Sequence, residues 1–162
     1  MGNIFAGSEI VEIGIEIEKN GRDFYNTLVA QSKNIKAKES FELLAKEEEK
    51  HIKVFQGILD SLEKYQPAES YPGEYFAYMN ALAGEYVFTQ KDKGKQLAQK
   101  TSGDKEAIDL GIGFEKDSII FYEGMKKCVP EFDLKVLDNL INQEQQHLRM
   151  LAELKDSLTE GR

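Results

Sequence analysis

Tryptophan is absent from this 162-residue chain, cysteine occurs once, proline three times and histidine twice. A lone Cys128 excludes an intramolecular disulfide and a Cys-x-x-Cys metal knuckle, and it reads as a buried thiol. No apolar run reaches the roughly 20 residues of a membrane span. Nor does the N-terminus carry a basic segment followed by an apolar stretch, so a cytoplasmic protein with no membrane partner is expected. A net charge of −8 disfavours nucleic acid as a partner, because an acidic surface repels a polyanion. Apolar residues make up 41% of the chain, which is enough for one full core and excludes wholesale disorder; a single domain over 1–162 follows.

With Pro confined to positions 67, 72 and 130, long stretches are free of helix breakers. Four of them carry the 3.6-residue apolar period of an amphipathic helix. The first runs from about Ser8, a residue type suited to an N-cap, to about Gln31, and the second from Asn34 to Lys64. The third spans Asp104 to about Cys128, and the fourth runs from Pro130, in the first turn, to about Leu158. Short links join the first pair and the second pair, so each is an expected antiparallel hairpin. The intervening 66–103 is rich in Tyr, Gly and Lys, with short helices expected at Glu74–Leu82 and Gly94–Lys100. A connection of that length returns the chain along the bundle. The expected fold is all-α: a ferritin-like four-helix bundle of two hairpins joined by a long crossover.

The hairpins repeat one another. Glu9–Tyr25 aligns on Glu106–Tyr122 without gaps at an offset of 97, with identities at Glu9/Glu106, Gly14/Gly111, Ile15/Ile112, Glu18/Glu115, Lys19/Lys116, Phe24/Phe121 and Tyr25/Tyr122. The second helices align at an offset of 96, which superposes Glu48 on Glu144 and His51 on His147. An internal duplication with pseudo-twofold symmetry accounts for both. Each of the two histidines lies three residues after a glutamate, a spacing that puts both side chains on one helix face.

Steps of three and four place these polar residues on the buried seams. The second helix reads Phe41, Leu44, Glu48, His51, Phe55, Ile58, Leu62; the fourth reads Leu137, Leu140, Glu144, His147, Leu151, Leu154, Leu158. The first and third helices each carry one mid-seam carboxylate, Glu18 and Glu115, flanked by Gly14 and Gly21 or by Gly111 and Ser118. Those small neighbours leave room beside the carboxylate. Tyr25 and Tyr122 lie two turns beyond their glutamates, near enough to bond the cluster, with structural packing their first role. Glu47 and Glu49 read as a solvated face.

Four carboxylates buried without a Lys or Arg on the seams would cost several kcal/mol each. Two divalent cations balance four negative charges, and neutral imidazoles complete the shell. Oxygen and imidazole donors without thiolate suit iron or manganese, with zinc also open. One Glu from each of two helices and Glu-x-x-His from each of the others is the di-iron carboxylate pattern.

On the doubled Glu-Lys-x-x-x-x-Phe-Tyr helix (Glu18–Tyr25, Glu115–Tyr122) and both Glu-x-x-His motifs, the chain resembles the rubrerythrin branch of the ferritin-like superfamily. The resemblance implies a di-iron centre with Glu18, Glu48, His51, Glu115, Glu144 and His147 as metal ligands, Glu18 and Glu115 being terminal or bridging. No further catalytic residue is implied. It also implies an oxidoreductase that reduces hydrogen peroxide or dioxygen, or alternatively a ferroxidase or iron-storage protein, and a homodimer. Rubrerythrins carry a rubredoxin domain with four cysteines, so electrons here are expected from an external donor, a rubredoxin-like protein or another reductant. Ser118 stands where rubrerythrins have a further carboxylate, so the ligand exchange associated with that carboxylate is not expected.

Overall fold

The computed structural model describes residues 7–65 and 73–160. Six α-helices follow in order: α1 Gly7–Gln31, α2 Ile35–Tyr65, α3 Gly73–Glu85, α4 Lys93–Gln99, α5 Asp104–Met125 and α6 Glu131–Glu160. The four long ones, α1, α2, α5 and α6, are those expected from periodicity, and no strand occurs among the described residues. α1 packs along α2 and α5 along α6, while contacts of α2 with α6 and of α1 with α5 close the bundle. The crossover helices lie on the outside, α4 against α1 and α3 against α5. Positions 66–72, the start of the expected crossover with Pro67 and Pro72, lie outside the described residues, as do 1–6 and 161–162.

The boundaries follow local chemistry. Asn34 caps α2, its Oδ1 accepting the Ala37 backbone N–H at 2.9 Å. α1 begins at Gly7, so Ser8 is inside the helix and does not cap it. α5 ends at Met125, short of the expected Cys128; residues Lys126–Cys128 tighten into a 3₁₀ turn before Pro130. α6 starts at Glu131, with Pro130 supplying the carbonyl that accepts from Asp133 N at 2.9 Å.

All four seams point inward. Every residue named on them is buried except Leu158, which is half-buried near the C-terminal end of α6. Cys128 is buried as well, and burial pushes its thiol up to about 11, as expected of an inert core cysteine. Seam glycines are filled by neighbours and do not leave gaps. A Cβ on Gly14 would meet Met125 Cε at 2.9 Å, and one on Gly111 would meet Leu151 Cδ1 at 3.2 Å. On Gly21 it would meet Glu48 Oε2 at 2.9 Å, so here the small residue makes room for the carboxylate of the facing helix, α2.

Asn20 on α1 ties down the crossover. Its amide donates to Phe88 O (2.6 Å) and Gln90 O (2.7 Å), while its Oδ1 accepts from Gly94 N (2.9 Å). Tyr86, also from the crossover, reaches the other half of the bundle, donating to Phe114 O at 2.9 Å and lying 2.8 Å from Ser118 Oγ. Phe88 and Phe114 pack against each other beneath it, ring centroids 3.9 Å apart and planes tilted by 32°.

Candidate metal centre

Halfway along the bundle, one apolar turn after another gives way to six polar side chains. Glu18 comes from α1, Glu48 and His51 from α2, Glu115 from α5, and Glu144 and His147 from α6. None is more than 4% exposed. The spacing of three brings each Glu and His of α2 and α6 to the same level, and the duplication brings the two levels together. The imidazoles stack with centroids 5.4 Å apart at 20°.

These side chains form two overlapping sets. Glu18, Glu48, His51 and Glu144 each offer a donor atom within 4.8 Å of the others; so do Glu48, Glu115, Glu144 and His147. Glu48 and Glu144 belong to both sets, whereas Glu18 and Glu115 belong to one each. The geometry thus separates roles that the sequence left open: α2 and α6 supply the shared carboxylates, α1 and α5 the outer ones.

The donor atoms converge without satisfying one another. His51 Nδ1 lies 2.6 Å from Glu144 Oε1 and 3.4 Å from Glu18 Oε2; His147 Nδ1 lies 3.1 Å from Glu48 Oε1. These approaches are close in distance but lack hydrogen-bond direction. Glu18 Oε2, Glu48 Oε1, Glu144 Oε1 and both Nδ1 atoms therefore stay buried with no hydrogen-bond partner. Unpaired buried donors and acceptors cost about 1–3 kcal/mol each, more when charged, so a cluster of them signals an absent partner. Four carboxylate donors and two imidazoles fit a pair of divalent cations in charge and in ligand type.

Electrostatics carry the same signature. Burial, then the neighbouring Glu144, push Glu48 well above the usual carboxylate range, and the same two causes raise Glu115. Burial also favours the neutral form of Glu144, but the close approach of Glu115 and of both imidazoles outweighs it and holds Glu144 well below that range. Burial alone would keep the imidazoles neutral; Glu18 and Glu144 outweigh it and push His51 up to about 12, and Glu115 and Glu144 push His147 to about 11.

Tyr25 and Tyr122 reach the cluster, but each crosses the bundle. Tyr25 Oη donates to Glu115 Oε1 at 2.7 Å and Tyr122 Oη to Glu18 Oε1 at 2.5 Å, so each tyrosine serves the glutamate of the other half. Burial raises both phenols well above their ordinary value, which keeps them donors. Two residues were missed from the sequence. Tyr86 covers the centre from the crossover, and Gln143 Oε1 lies 2.8 Å from His51 Nε2. Nothing in the composition of 66–103 marks Tyr86 among its neighbours. Gln143 had a signal, since it adjoins Glu144 on the repeat. Glu47 is half-buried and places a carboxylate oxygen within 4.8 Å of a nitrogen of each imidazole, so it is less solvated than its surroundings imply. Glu49 is half-buried as well, paired with Arg22 at 2.8 Å.

A crevice of about 10 Å³, the size of one water, touches the centre between Gly21, Tyr25, Glu48, Tyr86, Glu115 and Ser118. A family model described as Rubrerythrin matches residues 9–155, which include all six converging side chains. No curated protein and no solved structure matches the chain.

Proposed function

The chain belongs to the rubrerythrin family, and from that premise we propose that it is a di-iron oxidoreductase that reduces hydrogen peroxide or dioxygen with electrons from an external donor. The observation that carries this reading is the pair of overlapping donor sets sharing Glu48 and Glu144. Glu18 and His51 would hold one iron, Glu115 and His147 the other, with Glu48 and Glu144 between them. When bound, two irons supply two electrons to an oxidant and regain them from the donor.

The chain's own residues do the rest. Tyr25 and Tyr122 orient Glu115 and Glu18 by their hydrogen bonds and hold a proton at each Oη. Tyr86 and Phe88 are buried over the centre and exclude bulk water, leaving beside Glu48 and Glu115 a crevice with room for one water. Ser118 directs its hydroxyl to Tyr86, so α5 offers a single carboxylate to the metals.

Anaerobic loading with ferrous iron should reach two per chain. Stopped-flow mixing with hydrogen peroxide, then with dioxygen, should oxidise both irons, and added reductant should restore the ferrous absorption over many cycles. A diferrous protein inert to both oxidants overturns the reading. Oxidation that occurs once and deposits many irons per chain in a closed assembly assigns the protein to iron storage instead.

A further inference from the structure

The duplication makes the two halves of the centre equivalent in their six donors, but the residues around them do not all repeat, and one differing pair stands beside the imidazoles. At the offset of 96 that superposes His51 on His147, Glu47 superposes on Gln143. Both are half-buried and stand on the solvent side of the imidazoles, one residue before a shared carboxylate.

They are used differently. Gln143 Oε1 lies 2.8 Å from His51 Nε2. An amide oxygen only accepts, so Nε2 carries the hydrogen, and the lone pair of a neutral ring is left on Nδ1, the atom that faces Glu18 and Glu144. Glu47 makes no such bond. Its Oε1 accepts from Lys50 Nζ at 2.9 Å, and among the described residues nothing hydrogen-bonds Nε2 of His147. Only one imidazole of the pair has its tautomer and ring orientation fixed by a side chain.

We propose that Gln143 is a positioning residue for His51, and that the position formed by Glu18 and His51 consequently binds its metal more tightly than the one formed by Glu115 and His147. This rests on the reading that the centre holds two metals. A hydrogen bond from the outer ring nitrogen raises ligand basicity and removes the freedom of the ring to turn, and losing such a partner typically costs about 10–100-fold in affinity. The two metals of a nearly symmetric site therefore bind in order.

Zinc is the probe, because it is diamagnetic and needs no oxidant. Chelator-competition titration of the wild-type protein should give two steps of unequal affinity. Gln143→Leu should weaken the tighter step by about 10–100-fold and leave the other in place, whereas Gln143→Glu, which keeps an acceptor, should restore the order. In the zinc-loaded protein labelled with ¹⁵N-histidine, a protected Nε2–H of His51 should be visible in the wild type, lost in Gln143→Leu and recovered in Gln143→Glu. Two zinc ions bound with equal affinity, or a Gln143→Leu protein with both steps and the Nε2–H signal intact, overturn the inference while leaving the two-metal reading standing. Failure to bind two zinc ions overturns that reading and the inference with it. Gln143→Met repeats the comparison if the leucine variant does not fold.

Discussion

Each outer carboxylate of the centre depends on a phenol from the opposite half of the molecule. Tyr122→Phe removes the donor to Glu18 Oε1 without opening a cavity, so it leaves a buried carboxylate oxygen unmatched. The metal-free variant should be less stable by about 1–3 kcal/mol, measured by urea denaturation. Tyr25→Phe should do the same through Glu115. Protonation at this scale also sets a pH dependence. The surrounding carboxylates push His51 up to about 12 and His147 to about 11 in the folded chain, and burial raises Glu48 and Glu115, so the native metal-free state favours more bound protons than the unfolded one. Raised imidazole values add stability that is complete below about pH 6.5 and disappears as pH climbs toward 11–12. Glu48 and Glu115 shift the balance the same way once pH exceeds the unfolded carboxylate range, while Glu144, held low, loses its contribution only in strong acid. Thermal stability of the metal-free protein should therefore fall from pH 5 to pH 9, and zinc binding should release protons in an unbuffered titration and tighten as pH rises. The six converging residues were legible because their types interrupt apolar seams at helical spacing. The crossed partnership of the tyrosines was not, because a seam position says which face a side chain is on and not which helix it reaches across to.

At the scale of elements, the crossover is held by backbone groups meeting one buried asparagine, and Gly94 is the point of closest approach. A Cβ there would run into the Asn20 carbonyl oxygen, which is backbone and cannot swing aside. Gly94→Ala should destabilise the protein by about 1–3 kcal/mol or more and should expose 86–100 to limited proteolysis before the four long helices yield. Far-UV circular dichroism that stays unchanged while proteolysis accelerates would locate the damage in the crossover; unchanged proteolysis would contradict the packing. This explains what the sequence could and could not disclose about the elements. The long helices declare themselves through repeated apolar seams such as Phe41–Leu62, and the two short crossover helices through the spacing of turn residues around them. The path of the crossover rests on Asn20 Oδ1 and Nδ2 meeting Phe88, Gln90 and Gly94, and a single polar residue on α1 carries no periodic signal that would have pointed there.

Over the whole molecule, stability and metal binding draw on the same side chains in opposite directions. Four buried carboxylates face two imidazolium ions in the metal-free state, so the centre carries an excess of negative charge that the fold relieves by keeping protons on Glu48 and Glu115. Glu48→Gln keeps the shape of the side chain and removes the cost of taking up that proton at a pH where the unfolded carboxyl is ionised. It gives up the 3.1 Å contact with His147 Nδ1, but Glu144, 3.7 Å from that nitrogen and held ionised, remains to balance the imidazolium. At pH 8 the metal-free variant should unfold at a higher urea concentration than the wild type, by about 1–3 kcal/mol in free energy. The gain should disappear in the presence of metal: saturating a site a hundredfold above its dissociation constant stabilises the native state by about 2.7 kcal/mol, and only the wild type has the shared carboxylate that lets both donor sets close. The order of stability of the two proteins should therefore invert on adding zinc. If Glu48→Gln were less stable than the wild type without metal, the carboxylate would be a structural partner of His147, and the centre would owe its four acids to the fold and not to the cations they surround.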